Sequence, residues 1–285
     1  MADAHPRSLG AAVPRPPDHT SEALLGHRNL IEFHRALTRW GSRGALEEGN
    51  GTVLCAGGSW IPVVANDAFR SDGNVGGGEL IVRAEKFFAR LARGFSIKVR
   101  DNGEDDDLRR ACLDAGLEAF GEPVPQMICL QPLPGPTPID GIEVRSVEDE
   151  AGLRAFVSVN AAAYATYGMP PEVLADLFDE TAVVLGDRSA HIVVAQRANL
   201  PVATAMIFES DGVASVQWVG TIPAARGTGL GATVTAVVTN LAFDRGASSC
   251  TLQASPMGAP VYERLGYENL YHYAEYVRWP RPPGR

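Results

Sequence analysis

The most regular pattern in this chain is an apolar strand that leads through a glycine-rich loop into an amphipathic helix. Residues 214–221 include Val216, Trp218, Val219 and Thr221, residue types that favour a strand. Apolar side chains then return at helical spacing, which predicts a helix with one apolar face. The residues on that face are Leu230, Val234, Val237, Val238 and Leu241. Gly246 is the predicted residue after the C-cap.

Similar patterns predict the other elements of the second half. Residues 142–147 alternate apolar and polar positions as a strand does. A helix capped by Asp149 or Glu150 is expected to run to Tyr164, and a second short helix to begin at Pro170-Pro171. The remaining predicted strands are 191–196, 202–208, 250–254 and 269–279, with turns at 199–201 and 210–212.

Composition describes an ordinary globular protein. The 285 residues leave room for two domains, and a hydrophobic content of 45% predicts a real core. A net charge of −9 argues against nucleic acid and against an anionic membrane surface, because either partner needs a basic footprint. The acidic balance is compatible with an amine substrate, although most of this charge is expected on solvated surface.

The cysteines and the N-terminus point to a cytoplasmic protein without a metal site. Cys55, Cys112, Cys129 and Cys250 show no metal-ligand spacing and are expected to be reduced core residues. No stretch has the length of a membrane-spanning helix, and the start of the chain lacks the apolar segment of a secretory signal.

Three glycines lie where the strand meets the helix, at 227, 229 and 231. The first turn of a helix leaves backbone N–H groups without partners, and the helix dipole adds positive potential, so this junction suits an anion such as a phosphate. The loop lacks the Lys of a P-loop, and its last interval is wrong for a dinucleotide-binding fingerprint. A glycine-rich turn without a ligand is the remaining alternative for the loop taken alone.

Two motifs carry a family resemblance. Arg226-x-x-Gly229-x-Gly231 resembles the acetyl-CoA-binding motif of the GNAT superfamily of N-acetyltransferases. Further along, Tyr262 and Gly266-Tyr267 resemble the family's short helix ending in Y-x-x-x-G-[FY]. The two motifs together are far more specific than either alone, and the resemblance covers roughly residues 142–279.

The resemblance implies an α/β fold of two GNAT-like domains, each with a mixed, mostly antiparallel central sheet flanked by helices. It also implies that the loop amides bind the pyrophosphate of acetyl-CoA, that the strand edge before the loop pairs with the pantetheine arm, and that Arg226 adds charge or caps the loop. A bulge is expected near Gly220, with an oxyanion facing the amide near Val219. The predicted cofactor-binding residues are Val219, Gly220, Thr221, Arg226, Gly227, Thr228, Gly229, Leu230 and Gly231.

The first half is interpreted as a degenerate copy of the second. Its predicted elements are strands at 51–55, 60–65 and 96–99 and a helix at 78–91, and a helix-glycine-strand unit at 107–130 parallels 259–277. Residues 66–77 occupy the place of the glycine loop but lack its spacing, and no tyrosine precedes Gly116 by four residues. An unrelated α/β domain is the alternative.

These observations give four segments. They are a disordered N-terminus at 1–20, a degenerate acetyltransferase-like domain at 21–131, a proline-rich linker at 132–141, and a catalytic domain at 142–285. A homodimer is compatible with this division.

The resemblance places the thiolate-protonating tyrosine of the family at Tyr262, where a phenol stays protonated and able to donate. The alternative is a tyrosine packed in the core. No general base is assigned: Gln217 is not basic, and Glu209, Asp211, a carboxylate of the first half, or no protein base at all remain open. His191 is expected to be a surface residue.

The expected function is an acetyl-CoA-dependent N-acetyltransferase that acetylates a primary amine of a small molecule, with acetyl-CoA as co-substrate and no metal. The alternatives are an acetyl-CoA-binding sensor without turnover and a structural partner that binds no cofactor. A missing strand carboxylate favours the sensor, and Tyr262 opposes it. Tyr164, Tyr167 and Met169 are the candidate walls of the acceptor site, or else part of the core.

Overall fold

A continuous sheet of eleven strands runs through the protein in a computed structural model that describes residues 20–71 and 73–280. The strands of the first half are β1 (Ala45–Gly49), β2 (Thr52–Ala56), β3 (Asn66–Arg70), β4 (Phe95–Arg100) and β5 (Glu118–Cys129). Those of the second half are β6 (Ile142–Ser146), β7 (Ala190–Arg197), β8 (Leu200–Ser210), β9 (Val213–Thr221), β10 (Cys250–Gln253) and β11 (Glu268–Arg278).

Helices flank this sheet on both faces. In chain order they are α1 (Thr20–Trp40), α2 (Gly77–Arg90), α3 (Asp106–Asp114), α4 (Glu150–Tyr164), α5 (Pro171–Leu177), α6 (Thr181–Gly186), α7 (Leu230–Asp244) and α8 (Ala259–Leu265). Two short 3₁₀ helices, Ala165–Tyr167 and Pro223–Ala225, precede the α5 and α7 regions. None of the described helices is long and apolar enough to cross a bilayer.

The order of strands shows that the two halves exchange their last strands. The sheet runs β1-β2-β3-β4-β11-β5-β10-β9-β8-β7-β6. The C-terminal strand β11 therefore lies between β4 and β5, and β5 lies between β11 and β10. Only β3–β4 and β9–β10 are parallel among the described pairs, so the sheet is mixed and mostly antiparallel, as predicted.

The exchanged strands begin in the same way. Helix α3 is followed by Gly116 at φ +70° and then β5, and helix α8 is followed by Gly266 at φ +107° and then β11. Glycine is suited to both positions because a left-handed backbone costs it nothing. The helix-glycine-strand units that the sequence matched are thus the two segments that cross between the halves.

The core is divided by the sheet into clusters on its two faces. Helix α7 packs on β8 and β9 over a cluster that includes Val234, Val238 and Leu252. Helices α1, α4 and α5 cover the opposite face, where Trp40, Phe156 and Phe208 form the centre of a second cluster. Helices α2 and α3 cover a third cluster in the first half. The site described below lies where the first two clusters approach the end of β9.

Two sequence predictions for the first half were wrong or incomplete. Residues 60–65 form a turn and not a strand, because the Asn66 side chain donates to the carbonyls of Ser59 and Ile61 and holds the chain in a loop. The strand that pairs with β2 is Asn66–Arg70. Helix α1 and strand β1 were not predicted. The disordered segment predicted at 1–20 lies almost entirely outside the described residues.

Candidate active site

The glycine loop joins β9 to α7 as predicted. After the 3₁₀ turn at Pro223–Ala225, Gly227 and Gly229 adopt left-handed backbone angles, φ +75° and +84°. Gly229 is the N-cap of α7 and offers no side chain to the helix terminus. The Thr228 hydroxyl donates to the Ala225 carbonyl at 2.7 Å, a bond that stabilises the turn between residues 225 and 228. The loop thus leaves the helix terminus uncapped.

The amides of this loop are free donors. Within the described part of the chain, none of the backbone N–H groups of residues 227–232 has a hydrogen-bond acceptor, and the first helical bond runs from Thr233 to Gly229 at 3.0 Å. A Cβ added at Gly227 would meet nothing within 4 Å, and one at Gly231 would meet only the Thr221 hydroxyl at 3.6 Å. Open space therefore faces a set of unpaired donors at the positive end of a helix dipole.

The Arg226 side chain is engaged elsewhere. Its guanidinium donates to the Ala163 carbonyl at 3.0 Å, the Thr166 hydroxyl at 3.2 Å and the Thr221 carbonyl at 3.4 Å. These bonds tie the glycine loop to the C-terminal end of α4. The structure therefore gives Arg226 the capping role that the sequence allowed, and a direct contact with a cofactor stays a prediction.

The end of β9 has a free edge toward β10. The parallel pairing of β9 with β10 covers only Ala214, Ser215 and Val216. Residues 217–221 have no partner on β10, because β10 ends at Gln253. A strand edge with unpaired amide and carbonyl groups is a template for an extended ligand.

A β-bulge lies on the other side of the same segment. Met206 pairs with Gln217 and Thr204 with Gly220, so that Trp218 and Val219 stand opposite one residue of β8. Trp218 has φ +52°, an unusual value for a bulky residue. The bulge expected at Gly220 therefore lies one step earlier, at Trp218 and Val219.

Gly220 is a glycine for a different reason, which is the close approach of α4. A Cβ at this position would lie 2.6 Å from the buried Asn160 Oδ1 and 3.3 Å from the Ala163 Cβ. Helix α4 thus packs directly on the β9 backbone just beyond the bulge. This contact fixes the end of α4, and with it Tyr164, beside the strand edge.

Tyr262 lies on α8 with its ring buried and its hydroxyl unpaired. The side chain is 9% exposed, and no hydrogen-bond partner for its hydroxyl is present among the described residues. Burial, followed by the nearby Tyr167 hydroxyl, raises the pKa of Tyr262 to about 12. The hydroxyl therefore keeps its proton over the whole physiological range and is free to donate it.

Three further aromatic side chains lie close to Tyr262 and the bulge. The Tyr164 ring centroid is 5.4 Å from that of Trp218 and 6.1 Å from that of Tyr167. The Tyr167 hydroxyl donates to Ser255 Oγ at 3.3 Å, which connects the end of α4 to the loop before α8. We call Tyr164, Tyr167, Trp218 and Tyr262 the aromatic quartet.

The open candidates for a general base lie away from this quartet. Glu209 accepts two hydrogen bonds from Arg245 and sits opposite Ala214, about 15 Å along β9 from the bulge. Asp211 lies in the turn beyond it at φ +50°. His191 is half-buried, and its Nε2 lies 3.6 Å from Glu209, at the same distant end. Gln217 donates to the neighbouring Ser215 hydroxyl at 3.0 Å.

The equivalent helix start in the first half is filled by the protein itself. The amide of Gly77, at the start of α2, donates to the Asp107 carboxylate at 3.1 Å. Arg70 donates to both oxygens of Asp107, at 2.8 and 2.9 Å, and to the buried Asp105. Although burial opposes ionisation of Asp107, the hydrogen bonds from Arg70 and Gly77 lower its pKa. A carboxylate thus stands where the second half leaves its amides open.

Comparison with known proteins agrees with this geometry. The family model described as "Acetyltransferase (GNAT) family" matches residues 155–267. This chain carries a GNAT acetyltransferase domain. The matched segment runs from α4 to the end of the Tyr262 helix and so includes the glycine loop, the bulge and the aromatic quartet. The family predicted from the two motifs is confirmed.

Solved structures of the same fold cover almost the whole chain. A GCN5-related N-acetyltransferase from Kribbella flavida superposes with a TM-score of 0.65 at 21% identity, over 91% of this chain and 96% of that one. One from Sphaerobacter thermophilus gives 0.63 at 18%, over 84% and 83%. A tandem GNAT protein from the clavulanic acid biosynthesis pathway gives 0.58 at 13%, over 94% and 98%. At these identities the likeness shows the fold, and the predicted fold class is confirmed. No curated protein sequence gave a significant match.

Sequence reasoning named only part of this arrangement. It identified the loop glycines, Tyr262, and Tyr164 and Tyr167 as candidate walls. It missed Ser255 and Trp218, because neither belongs to a motif and only the fold brings them to the tyrosines. Gly258 was also missed, although a glycine four residues before Tyr262 was a usable signal: its Cα supports the tyrosine ring.

Proposed function

We propose that this protein is an acetyl-CoA-dependent N-acetyltransferase that acetylates a primary amine of a small molecule. The observation that carries the proposal is that two features occur side by side. The backbone amides at the start of α7 are free, and residues 217–221 of β9 form a free strand edge. The proposal assigns the reaction to the second half, residues 142–285, and a degenerate role to residues 21–131. It also places the protein in the cytoplasm.

The described residues fit both parts of the cofactor. The loop amides suit a pyrophosphate, since glycine has no side chain that would keep a bulky anion away from them. The free edge of β9 suits the pantetheine arm, whose amides can pair with backbone groups as a strand would. Bound acetyl-CoA would supply a thioester carbonyl that an amine can attack.

The chain's own groups then have two roles in the reaction. Backbone amides at the bulge, near Val219, are directed away from regular pairing and are the candidates to stabilise negative charge on the carbonyl oxygen. The Tyr262 hydroxyl, unpaired and protonated, donates a proton to the departing sulfur. The bulge amides and the Tyr262 hydroxyl are both held by packing and not by exposed loops, so they are already positioned before the reaction begins.

The second candidate is an acetyl-CoA-binding sensor without turnover. The observation that favours it is the absence of any carboxylate among residues 213–221 of β9, together with the distance of Glu209 and Asp211 from the bulge. The Tyr262 hydroxyl favours the enzyme, because it has no protein partner among the described residues and is not sealed inside the core, so that a bound ligand can reach it.

Two measurements separate these functions. Coenzyme A at a hundredfold excess over its Kd should stabilise the protein by about 2.7 kcal/mol, seen as a rise in melting temperature. Free thiol release from acetyl-CoA should then depend on added amine. Binding without amine-dependent thiol release would support the sensor, and no thermal shift at all would reject both functions.

A further inference from the structure

The aromatic quartet lies at the β9 bulge, which Trp218 helps to form, and next to the end of α4 to which Arg226 ties the glycine loop. The ring centroids of Tyr164 and Trp218 are 5.4 Å apart, and Tyr167, which is 52% exposed, forms the outer rim of the quartet. The Ser255 hydroxyl accepts hydrogen bonds from the Tyr167 hydroxyl and the Gly258 amide, so the loop before α8 links Tyr167 to the helix that carries Tyr262. The walls are flat rings whose polar atoms are hydroxyl groups and the Trp218 indole nitrogen, which has no described partner.

Among the described residues, no acidic side chain is bonded to the quartet. Burial and the hydroxyls of Tyr262 and Tyr167 are the causes that raise the pKa of Tyr164, and burial and Tyr167 are those that raise the pKa of Tyr262. Neither tyrosine shows an influence of a carboxylate. The charged group bonded nearest to the quartet is the Arg226 guanidinium, which donates to Ala163 and Thr166, next in the chain to Tyr164 and Tyr167.

These surroundings set a requirement on the amine. An ammonium ion cannot attack a carbonyl until it loses its proton, and the described residues of the quartet include no group that accepts one at neutral pH. Aromatic faces can attract cations, but a cation held there would stay protonated and unreactive. The neighbouring Arg226 charge further disfavours a cationic ligand.

We propose that the acceptor of this site is a weakly basic aromatic amine, bound in its neutral form between the rings of the quartet. This inference rests on the proposed acetyltransferase function. The amine nitrogen forms a bond to the acetyl carbon while the carbon–sulfur bond breaks. Tyr262 gives its proton to the sulfur and regains one that the nitrogen has lost, so the products are the amide and the free thiol, and no separate base is needed.

The test compares two amines that share a ring but differ in basicity, aniline and benzylamine, by thiol release from acetyl-CoA. Near neutral pH, kcat/KM for aniline should exceed that for benzylamine by about a hundredfold, because almost all benzylamine is protonated there, as a lysine side chain would be. The rate with aniline should stay level from about pH 6 to 9, and the rate with benzylamine should rise about tenfold per unit.

The possible failures are distinguishable. If benzylamine or an aliphatic polyamine reacts faster than aniline at neutral pH, the inference about the acceptor is wrong and the acetyltransferase function stands. If coenzyme A raises the melting temperature but no amine releases thiol, the acetyltransferase function itself fails.

A variant pair tests the ring contact directly. Tyr167→Ala should raise KM for aniline about tenfold and leave the coenzyme A thermal shift unchanged, whereas Tyr167→Phe, which keeps the ring, should retain most of the affinity. Trp60→Ala removes a ring that is 60% exposed in the first half and serves as the control that changes neither value. An unchanged KM for aniline in Tyr167→Ala would show that this ring does not contact the amine and would contradict the proposed acceptor site.

Discussion

Tyr262 owes its orientation to a glycine in the preceding turn. An added Cβ at Gly258 would lie 2.7 Å from Cε2 of the tyrosine ring, closer than such atoms can approach. The backbone there has φ −81° and ψ −37°, which alanine adopts freely. The glycine is thus required by the ring and not by the turn.

Gly258→Ala should therefore displace the Tyr262 hydroxyl and leave the helix intact. We expect kcat to fall roughly tenfold to a hundredfold, since small displacements of a reacting group are costly. The thermal shift with coenzyme A should not change. Gly186→Ala, at an open helical position, is the matched control. Equal activity of both variants would show that the ring position does not matter.

Tyr262→Phe removes the proposed acid without changing the packing. Thiol release should fall about a hundredfold or more, the range for loss of a general acid, while affinity for coenzyme A is nearly retained. Because the pKa of Tyr262 is about 12, the wild-type rate should show no loss from its ionisation below about pH 10. Tyr276→Phe, which changes a buried tyrosine of β11 in the cluster under α2 and α3, should behave as wild type. A normal rate in Tyr262→Phe would reduce this residue to a packing role.

His27 makes the fold sensitive to mild acid. It is buried, with Nδ1 2.7 Å from the Tyr273 hydroxyl, and burial, followed by the Arg100 charge, lowers its pKa to about 4. Since the unfolded chain binds a proton near pH 6.5 and the folded protein does not, stability is full above that pH and declines as the pH falls toward about 4.

Between about pH 7.5 and 5, the free energy of unfolding should decrease by about 2 kcal/mol through His27 alone. Urea unfolding at both pH values measures this decrease. His27→Gln cannot titrate, so its stability should fall less over the same interval, even if it is lower overall. An identical decrease in both proteins would assign the acid sensitivity to other groups.

At the scale of elements, the start of α7 is open and the start of α2 is closed. Both helices begin with glycines after a strand, although residues 66–77 lack the spacing of the glycine loop. The difference is Asp107, which α3 brings to the Gly77 amide, together with Arg70 from β3. The free amides at residues 227–232 have no such carboxylate.

Gly231→Glu tests the open helix start without straining the backbone, because Gly231 does not have the left-handed angles of Gly227 and Gly229. The added carboxylate would place negative charge among the free amides and compete with a pyrophosphate. The thermal shift with coenzyme A should be lost. Gly78→Glu, in the first turn of α2, is the control and should bind normally. Unchanged binding by Gly231→Glu would place the pyrophosphate elsewhere.

At the scale of the whole molecule, the exchange of β5 and β11 makes the halves depend on each other. Strand β11 pairs with β4 and β5, both from the first half, and β5 fills the place beside β10. Lys98 on β4 also forms a buried ion pair with Glu275 on β11. Each half thus lacks a central strand when it stands alone.

A chain of residues 132–285 should therefore fail to fold by itself, although it contains every proposed site residue. It leaves β11 without either partner and β10 without one of its two. We expect loss of cooperative melting by circular dichroism and no thermal shift with coenzyme A. Co-expression with residues 1–131 should restore both. A separately stable second half that binds coenzyme A would show that the exchanged strands are dispensable.

The sequence by itself determined the elements whose signals are local. The apolar face from Leu230 to Leu241, the turns with Gly212 and Gly266, and the glycine loop at 227–231 need only neighbouring residues, because helix period and left-handed angles are set within a few positions. The two family motifs are local in the same sense. The fold class and family followed from them.

Tertiary structure decided everything that depends on partners distant in the chain. It placed β11 between strands of the first half, moved the bulge to Trp218 and Val219, and turned Arg226 toward α4. Strand order and side-chain partners depend on burial and hydrogen bonding over the whole molecule, which a single chain segment does not specify. For the same reason, only the fold shows that the amides of α7 are open while those of α2 are covered by a carboxylate.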